Sequence, residues 1–151
     1  MASKMYFLFM VAMLVQISLQ IEISTKDCGS EYASFSNLQI NCEEGSTNDV
    51  CNVKQGKTYT STLNLTPNTI IENATIVLHG VIGGMSLPLQ LEHKHLCEHH
   101  GVVCPLKPGV QVIVKSDLAV PGWAMGEPLV KTELKTKHKN IICMTFKTRV
   151  E

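Results

Sequence analysis

Six cysteines, all downstream of an apolar N-terminal run, constrain this chain more than any other feature. They are Cys28, Cys42, Cys51, Cys97, Cys104 and Cys143. An even set in a short chain with a secretory start reads as a disulfide framework. Six cysteines leave fifteen pairings open. Local closure favours Cys42–Cys51 and Cys97–Cys104, because each encloses a short polar loop, and that leaves Cys28 with Cys143. Zinc is the competing use for these residues. No Cys-x-x-Cys pair is present, and a secretory compartment is oxidising.

The secretory start rests on Lys4 and on residues 5–19, which are apolar apart from Gln16 and Ser18. As a helix this run would span about 22 Å, short of the ~30 Å bilayer core. A membrane anchor is the alternative, but Glu22 follows and Lys26 is the first basic residue after the run. Cleavage is expected between Ser18 and Ile23. The expected organisation is a signal peptide over residues 1–20 and one domain over residues 21–151, since 151 residues suit a single domain. Without Lys4, 12 Lys and Arg face 13 Asp and Glu. That balance gives no electrostatic case for nucleic acid. No later run reaches membrane-spanning length. The expected location is extracellular, or the endosomal or lysosomal lumen, and the expected state is a monomer. Asn64-Leu65-Thr66 and Asn73-Ala74-Thr75 are glycosylation sequons consistent with that route, with Pro67 directly after the first.

Short apolar–polar alternations recur between Gly, Pro, Asn and Asp, the spacing of an antiparallel sandwich or barrel. Over residues 58–65, Tyr59, Ser61, Leu63 and Leu65 share one face, and Asn64 points the other way to solvent. Over residues 73–82, Ala74, Ile76, Leu78, Gly80 and Ile82 share a face, and Gly83-Gly84 ends the run. Residues 85–91 carry Pro88 and read as an edge strand or extended loop. Val110, Val112 and Val114 alternate with Gln111, Ile113 and Lys115, and Val130, Thr132 and Leu134 alternate with Lys131, Glu133 and Lys135. The last strand covers residues 140–150, with Ile142, Met144 and Phe146 on one side. No stretch after the leader fits a helical period. Apolar residues are 44% of the chain but aromatics only 5%. An aliphatic core of this kind either packs conventionally or leaves a flexible-walled cavity suited to a greasy ligand.

The order of these motifs resembles the ML (lipid-recognition) domain family, with its soluble Niemann-Pick type C sterol carriers and group-two mite allergens. The carrying residues are KDCGS at 26–30, Cys42 and Cys51 before GKTY at 56–59, VLHG at 77–80, GGMSLPL to Leu89, CPLKPG at 104–109, and Cys143. The likeness spans residues 26–150. It implies an all-β fold: an immunoglobulin-like β-sandwich of two antiparallel sheets with an apolar cavity between them. It also implies three disulfides, Cys28–Cys143, Cys42–Cys51 and Cys97–Cys104. Leu89 stands where sterol-binding members place a Phe, and Val120 matches a valine at the mouth. Trp123 or Met125 takes the place of a mouth tyrosine, because the segment 121–127 is longer here.

Catalytic and metal chemistry find little footing. There is no G-x-S-x-G elbow and no H-E-x-x-H. His93, His95, His99 and His100 surround Cys97 and read as solvated loop histidines rather than metal ligands; a role in pH sensing is the other use of such a cluster. His79 reads as a surface histidine.

The expected function is therefore binding, not turnover, with no cofactor and no metal. The ligand is a sterol or fatty acid held between the sheets. The expected wall is Leu63, Leu65, Ile76, Leu78 and Ile82, with Val112, Val114, Met144 and Phe146. The expected mouth is Leu89, Val120, Trp123 and Met125. A membrane surface or a lipid-accepting receptor is the expected partner during transfer. Two other classes fit the same sequence: an innate-immunity module that recognises a microbial lipid, and a structural secreted protein with a filled core.

Overall fold

The structure is a computed structural model, and it describes residues 19–151. The proposed signal peptide lies almost wholly outside the described residues. Ten strands follow: β1 (Ile21–Glu22), β2 (Lys26–Asp27), β3 (Ala33–Ile40), β4 (Val50–Val53), β5 (Thr58–Pro67), β6 (Thr75–Ile82), β7 (Met85–Leu89), β8 (Val112–Ala119), β9 (Leu129–Lys135) and β10 (Asn140–Val150). No helix occurs among the described residues.

The strands form two facing sheets. One has four strands in the order β1-β3-β5-β8. The other runs β2-β10-β9-β6-β7, with β4 joining the edge of β10 beyond β2. All pairings between named strands are antiparallel except β4 with β10, which is parallel. The chain is thus an all-β, immunoglobulin-like sandwich. Its disulfides are Cys28–Cys143, Cys42–Cys51 and Cys97–Cys104.

Local chemistry explains the pieces that frame the interior. In β5 the inward residues Tyr59, Leu63 and Leu65 are buried while Thr58 and Thr60 are exposed. That is the period-two pattern of a half-buried strand. β6 and β7 form a hairpin in which Ile82 pairs with Met85. The two residues between them, Gly83 and Gly84, both have positive φ (56° and 80°), as the tight turn that matches strand twist requires. Pro88 sits in β7, an edge strand, where its missing N–H costs no ladder bond to a further strand.

Strand β3 breaks its own alternation. Ser36 pairs with Asn64, but the next registered pair is Gln39 with Thr62, so three steps on β3 oppose two on β5. The extra residue is accommodated at Asn37, which takes a φ of 55°. A bulge of this kind shifts the inward phase, so Ala33 and then Leu38 and Ile40 all point to the core.

Two polar clusters pin the outside. Tyr59 is fully buried and its hydroxyl donates to Glu43 Oε1 at 2.7 Å while accepting the Lys54 N–H at 2.7 Å. Burial and the Glu43 carboxylate push its pKa up to about 12. On the other sheet, Glu133 is nearly buried between Lys135 Nζ at 3.1 Å and Lys131 Nζ at 3.3 Å. Burial alone would raise its pKa, but the two ammonium groups outweigh burial and hold it below its ordinary value of 4.5. A depressed carboxyl contributes stability above the unfolded value and loses it as pH falls. The chain should therefore lose stability on acidification below about 4.5. Glu133→Gln should cost about 1–2 kcal/mol at neutral pH and flatten that acid limb, read by thermal melts across pH. An unchanged acid limb in Glu133→Gln would remove Glu133 from the account.

Candidate functional site

The space between the sheets is where the strand patterns converge. Among the described residues, two aromatic side chains, Tyr59 and Phe146, belong to the buried core; the rest of it is aliphatic apart from small groups and sulfur. Rigid rings fill space well, whereas branched and unbranched aliphatic chains from two curved sheets leave gaps. Two apolar cavities result.

The larger one offers about 60 Å³ to the centre of a water-sized sphere. The four-stranded sheet lines it with Leu38, Ile40, Leu63, Leu65, Val114 and Leu118. The other sheet contributes Ile76, Leu78, Leu134, Ile142, Met144 and Phe146. Leu91 and Leu96 close it from the segment after β7. Ser61, Ser116, Asp117, Thr132 and Glu133 supply the polar part of its lining. Ser61 and Ser116 are cross-strand neighbours on β5 and β8, where the Ser61 hydroxyl donates to the Ser116 carbonyl at 3.1 Å. The smaller cavity, about 30 Å³ by the same measure, lies further along the same strands. Gly80, Ile82, Leu87, Leu89, Val120 and Val130 line it, together with Trp123. Leu118 lines both cavities and so stands between them.

The sandwich is open on the side where β7 and β8 are edge strands. The loop over residues 90–111 covers part of that side. It pairs with β6 through Ile76 N–H to the Lys94 carbonyl (2.7 Å) and Leu96 N–H to the Ala74 carbonyl (2.9 Å). It then reaches β8 through Lys115 N–H to the His100 carbonyl (2.9 Å). The Cys97–Cys104 bond fixes the excursion. The uncovered remainder lies between Leu87 and Leu89 of β7 and the segment 120–124 that follows β8. Trp123 there is 53% exposed, and Met85 and Met125 are each 66% exposed.

Of the residues expected in the wall and mouth, Leu63, Leu65, Ile76, Leu78, Val114, Met144 and Phe146 line the larger cavity. Ile82, Leu89, Val120 and Trp123 line the smaller one. Val112 and Met125 line neither: Val112 packs half-buried at the core margin, and Met125 projects from the loop beyond the mouth. The expectation missed Leu38 and Ile40, which sit on the bulged strand, and Leu91 and Leu96, which come from a loop. Leu118 was legible, as the next apolar inward position after Val114 on β8.

The histidines do not all behave as solvated loop residues. His93 and His99 stack with ring centroids 4.0 Å apart, at the surface. His100 is buried: Nδ1 lies 2.7 Å from the Lys115 carbonyl and Nε2 lies 3.0 Å from the His93 carbonyl. Its ring ties the loop to β8, and the pairing with Lys115 depends on how the loop folds back onto that strand, which is why the burial was not legible. Among the described residues, no group of three or more His, Cys, Asp or Glu is placed to hold a metal ion.

The two sequons differ in setting. Asn73 is exposed in the connection between β5 and β6. Asn64 is half-buried inside β5, between Ser36 of β3 and Ile113 of β8.

Comparison with known proteins agrees with this geometry. The family model described as the ML domain matches residues 22–150. The ecdysteroid-regulated 16 kDa protein of Manduca sexta is 27% identical over 135 residues, covering 89% of this chain and 92% of that protein. The NPC intracellular cholesterol transporter 2 homolog a of Drosophila melanogaster is 27% identical over 152 residues, covering 97% of this chain and 98% of that protein. Among solved structures, a Niemann-Pick type C2 protein from the Japanese carpenter ant superposes with a TM-score of 0.75 at 23% identity, covering 85% of this chain and 100% of that one.

Proposed function

The chain belongs to the ML domain family, and from that premise we propose that it is a secreted carrier that holds the hydrocarbon part of one lipid between its sheets. The observation that carries the reading is the mostly aliphatic gap on the sandwich axis, continued toward an apolar mouth. A conventional filled core would leave less than the roughly 10–15 Å³ that one water needs. The larger gap has several times that room, and its surface is mostly apolar.

The gap is still small beside the roughly 300–1,000 Å³ of pockets that enclose drug-sized ligands. Uptake therefore requires the sheets to part. The aliphatic walls can do this by changing rotamer, and the disulfides keep the strand ends joined while they do. Two narrow voids in line, separated by Leu118, fit a slim flexible acyl chain with less displacement than a fused ring system. A fatty acid is thus the favoured ligand. A sterol is the second reading, favoured by the likeness to the Drosophila cholesterol transporter homolog. Burying ~300 Å² of ligand hydrocarbon would contribute roughly 7 kcal/mol at ~25 cal/mol per Å², before the costs of association. That permits micromolar or tighter binding without a strong polar contact.

The role is binding without turnover. Residues 1–20 act as the signal peptide, and Asn73 is the better placed glycan acceptor. The mouth of the smaller cavity carries no Lys or Arg to meet an acidic glycolipid head, which argues against the microbial-lipid reading. A competition panel tests the proposal. Long-chain fatty acids and sterols are titrated against a fluorescent acyl probe on the purified, disulfide-bonded chain. Saturable one-to-one displacement, with fatty acids effective at lower concentration than sterols, is the expected result. No saturable binding by either class would refute the carrier.

A further inference from the structure

His100 is only 3% exposed, yet it lines neither cavity. Both of its ring nitrogens face carbonyl oxygens. Nδ1 lies 2.7 Å from the Lys115 carbonyl, and Nε2 lies 3.0 Å from the His93 carbonyl. A carbonyl oxygen only accepts, so each contact needs a proton on the ring nitrogen. A neutral imidazole carries one N–H and an imidazolium carries two. The cation alone satisfies both carbonyls. The Ser116 hydroxyl, 3.2 Å from Nδ1, is a donor that could serve a bare nitrogen. The lone pair of that nitrogen would still face the Lys115 carbonyl oxygen at 2.7 Å.

These contacts attach the loop over residues 90–111, whose Leu91 and Leu96 close the larger cavity. Its return to β8 consists of the Lys115 N–H bond to the His100 carbonyl at 2.9 Å and the ring contact back to the Lys115 carbonyl. The ring contact to His93 ties the residues before Cys97 to those after it. Ser116, which touches the ring, also lines the cavity.

The groups around this attachment are mixed in charge. β8 brings Lys115 and Asp117, the loop brings Glu92, His93 and His99, and β5 brings the uncharged Thr60, Ser61 and Thr62. Lys94, His95 and Glu98 stand on the same loop and are exposed. The stacked rings of His93 and His99 would repel each other once charged, which would loosen the loop in acid. They lie in solvent, where salt and water screen that repulsion. His100 is shielded, and its contacts as a cation are charge-assisted, so its effect dominates with the opposite sign. Glu133, which also lines the cavity, is held below its ordinary 4.5 and stays ionised from pH 5 upward.

We propose that His100, as an imidazolium, is the positioning residue that holds this loop over the larger cavity, so that lipid is retained in acid and released faster at neutral pH. Histidine ordinarily changes charge between pH 5 and 8. Loss of the proton leaves one ring hydrogen bond where there were two, and the loop carrying Leu91 and Leu96 loosens from β8. The proposal rests on the carrier reading for its lipid readout and not for the closure of the loop.

The test has two readouts, each taken from about pH 5 to about pH 8. One is the release rate of a fluorescent acyl probe. The other, without ligand, is the hydrogen-exchange protection of the Lys115 and Leu96 amides, which bond across the loop's two attachments. In the parent, release should be about tenfold slower at the acid end, and protection about tenfold higher. H100N keeps a donor near the Nδ1 position and cannot take a charge. It should release probe at the parent's neutral-pH rate throughout, with flat protection. H93Q/H99Q removes the stacked rings but leaves the His93 carbonyl, and should keep the parent profile. Imidazole ¹⁵N shifts of the parent keep the proposal testable if H100N does not fold: at pH 5 His100 should show two protonated nitrogens. Release that is flat with pH or faster in acid, a profile that survives H100N, one lost in H93Q/H99Q, or a bare ring nitrogen on His100 at pH 5 would overturn the proposal. Protection that follows pH while no probe binds sustains the loop attachment and counts only against the carrier; probe binding with flat protection does the reverse.

Discussion

Val114→Trp should bind a long-chain fatty acid about a hundredfold more weakly than the parent chain, while keeping its sheet circular dichroism and its three disulfides. Val114 is at an inward position of β8, opposite Leu63 of β5, and is 8% exposed. Its side chain lines the larger cavity. An indole there occupies the gap a hydrocarbon guest would take. Losing about 100 Å² of ligand contact at ~25–30 cal/mol per Å² removes nearly 3 kcal/mol, and every 1.4 kcal/mol is about tenfold. Overpacking costs about 1–3 kcal/mol of stability, which a domain of ordinary stability survives. Ile113→Trp is the matched control. Ile113 precedes Val114 on the same strand but faces out and is 50% exposed, so its variant should bind as the parent does. Titration of a fluorescent acyl probe into the three proteins reads the difference. Parent-like affinity in Val114→Trp would place the ligand elsewhere.

Replacing Cys28 and Cys143 together by Ala should lower the melting temperature by about 15 °C. The bond joins residues 115 apart, so it restricts nearly the whole unfolded chain. In the chain-entropy picture a loop of that length is worth about 5 kcal/mol, against about 2.5 kcal/mol for the loops closed by the other two bonds. The native state also depends on it locally. β2 contributes two residues, Cys28 N–H donates to the Cys143 carbonyl at 2.9 Å, and the bond anchors that strand to β10. A sandwich with a gap along its axis has given up part of its packing enthalpy, so cross-links carry a larger share of its stability. Paired calorimetry of this variant and of Cys42→Ala/Cys51→Ala is the check. Equal losses would show that loop length is not what the bonds control.

Legibility in the sequence followed one physical rule: strands that alternate cleanly could be read, and strands that do not could not. The last strand was expected over residues 140–150 and is Asn140–Val150. β5 and β6 were expected on the right faces with ends within two residues. β3 escaped because the extra residue at Asn37 puts Leu38 and Ile40 out of phase with Ala33. β4 escaped because Cys51, Asn52 and Val53 are all buried, which leaves no alternation to detect in four residues. The cavity wall divides in the same way. Positions such as Leu63, Leu78 and Met144 follow from strand phase, whereas Leu91 and Leu96 reach the cavity from a loop whose path depends on pairing with β6 and β8.

The central claim is that the gap between the sheets opens for a lipid chain, and intermolecular NOEs test it most directly. The protein is labelled with ¹³C at its Leu, Val and Met methyls and mixed with one equivalent of unlabelled fatty acid. The prediction is a set of contacts from the acyl chain to Leu63, Leu78, Val114 and Met144, on both sheets at once. Contacts confined to Met125 and other exposed methyls, or none at all, would contradict it.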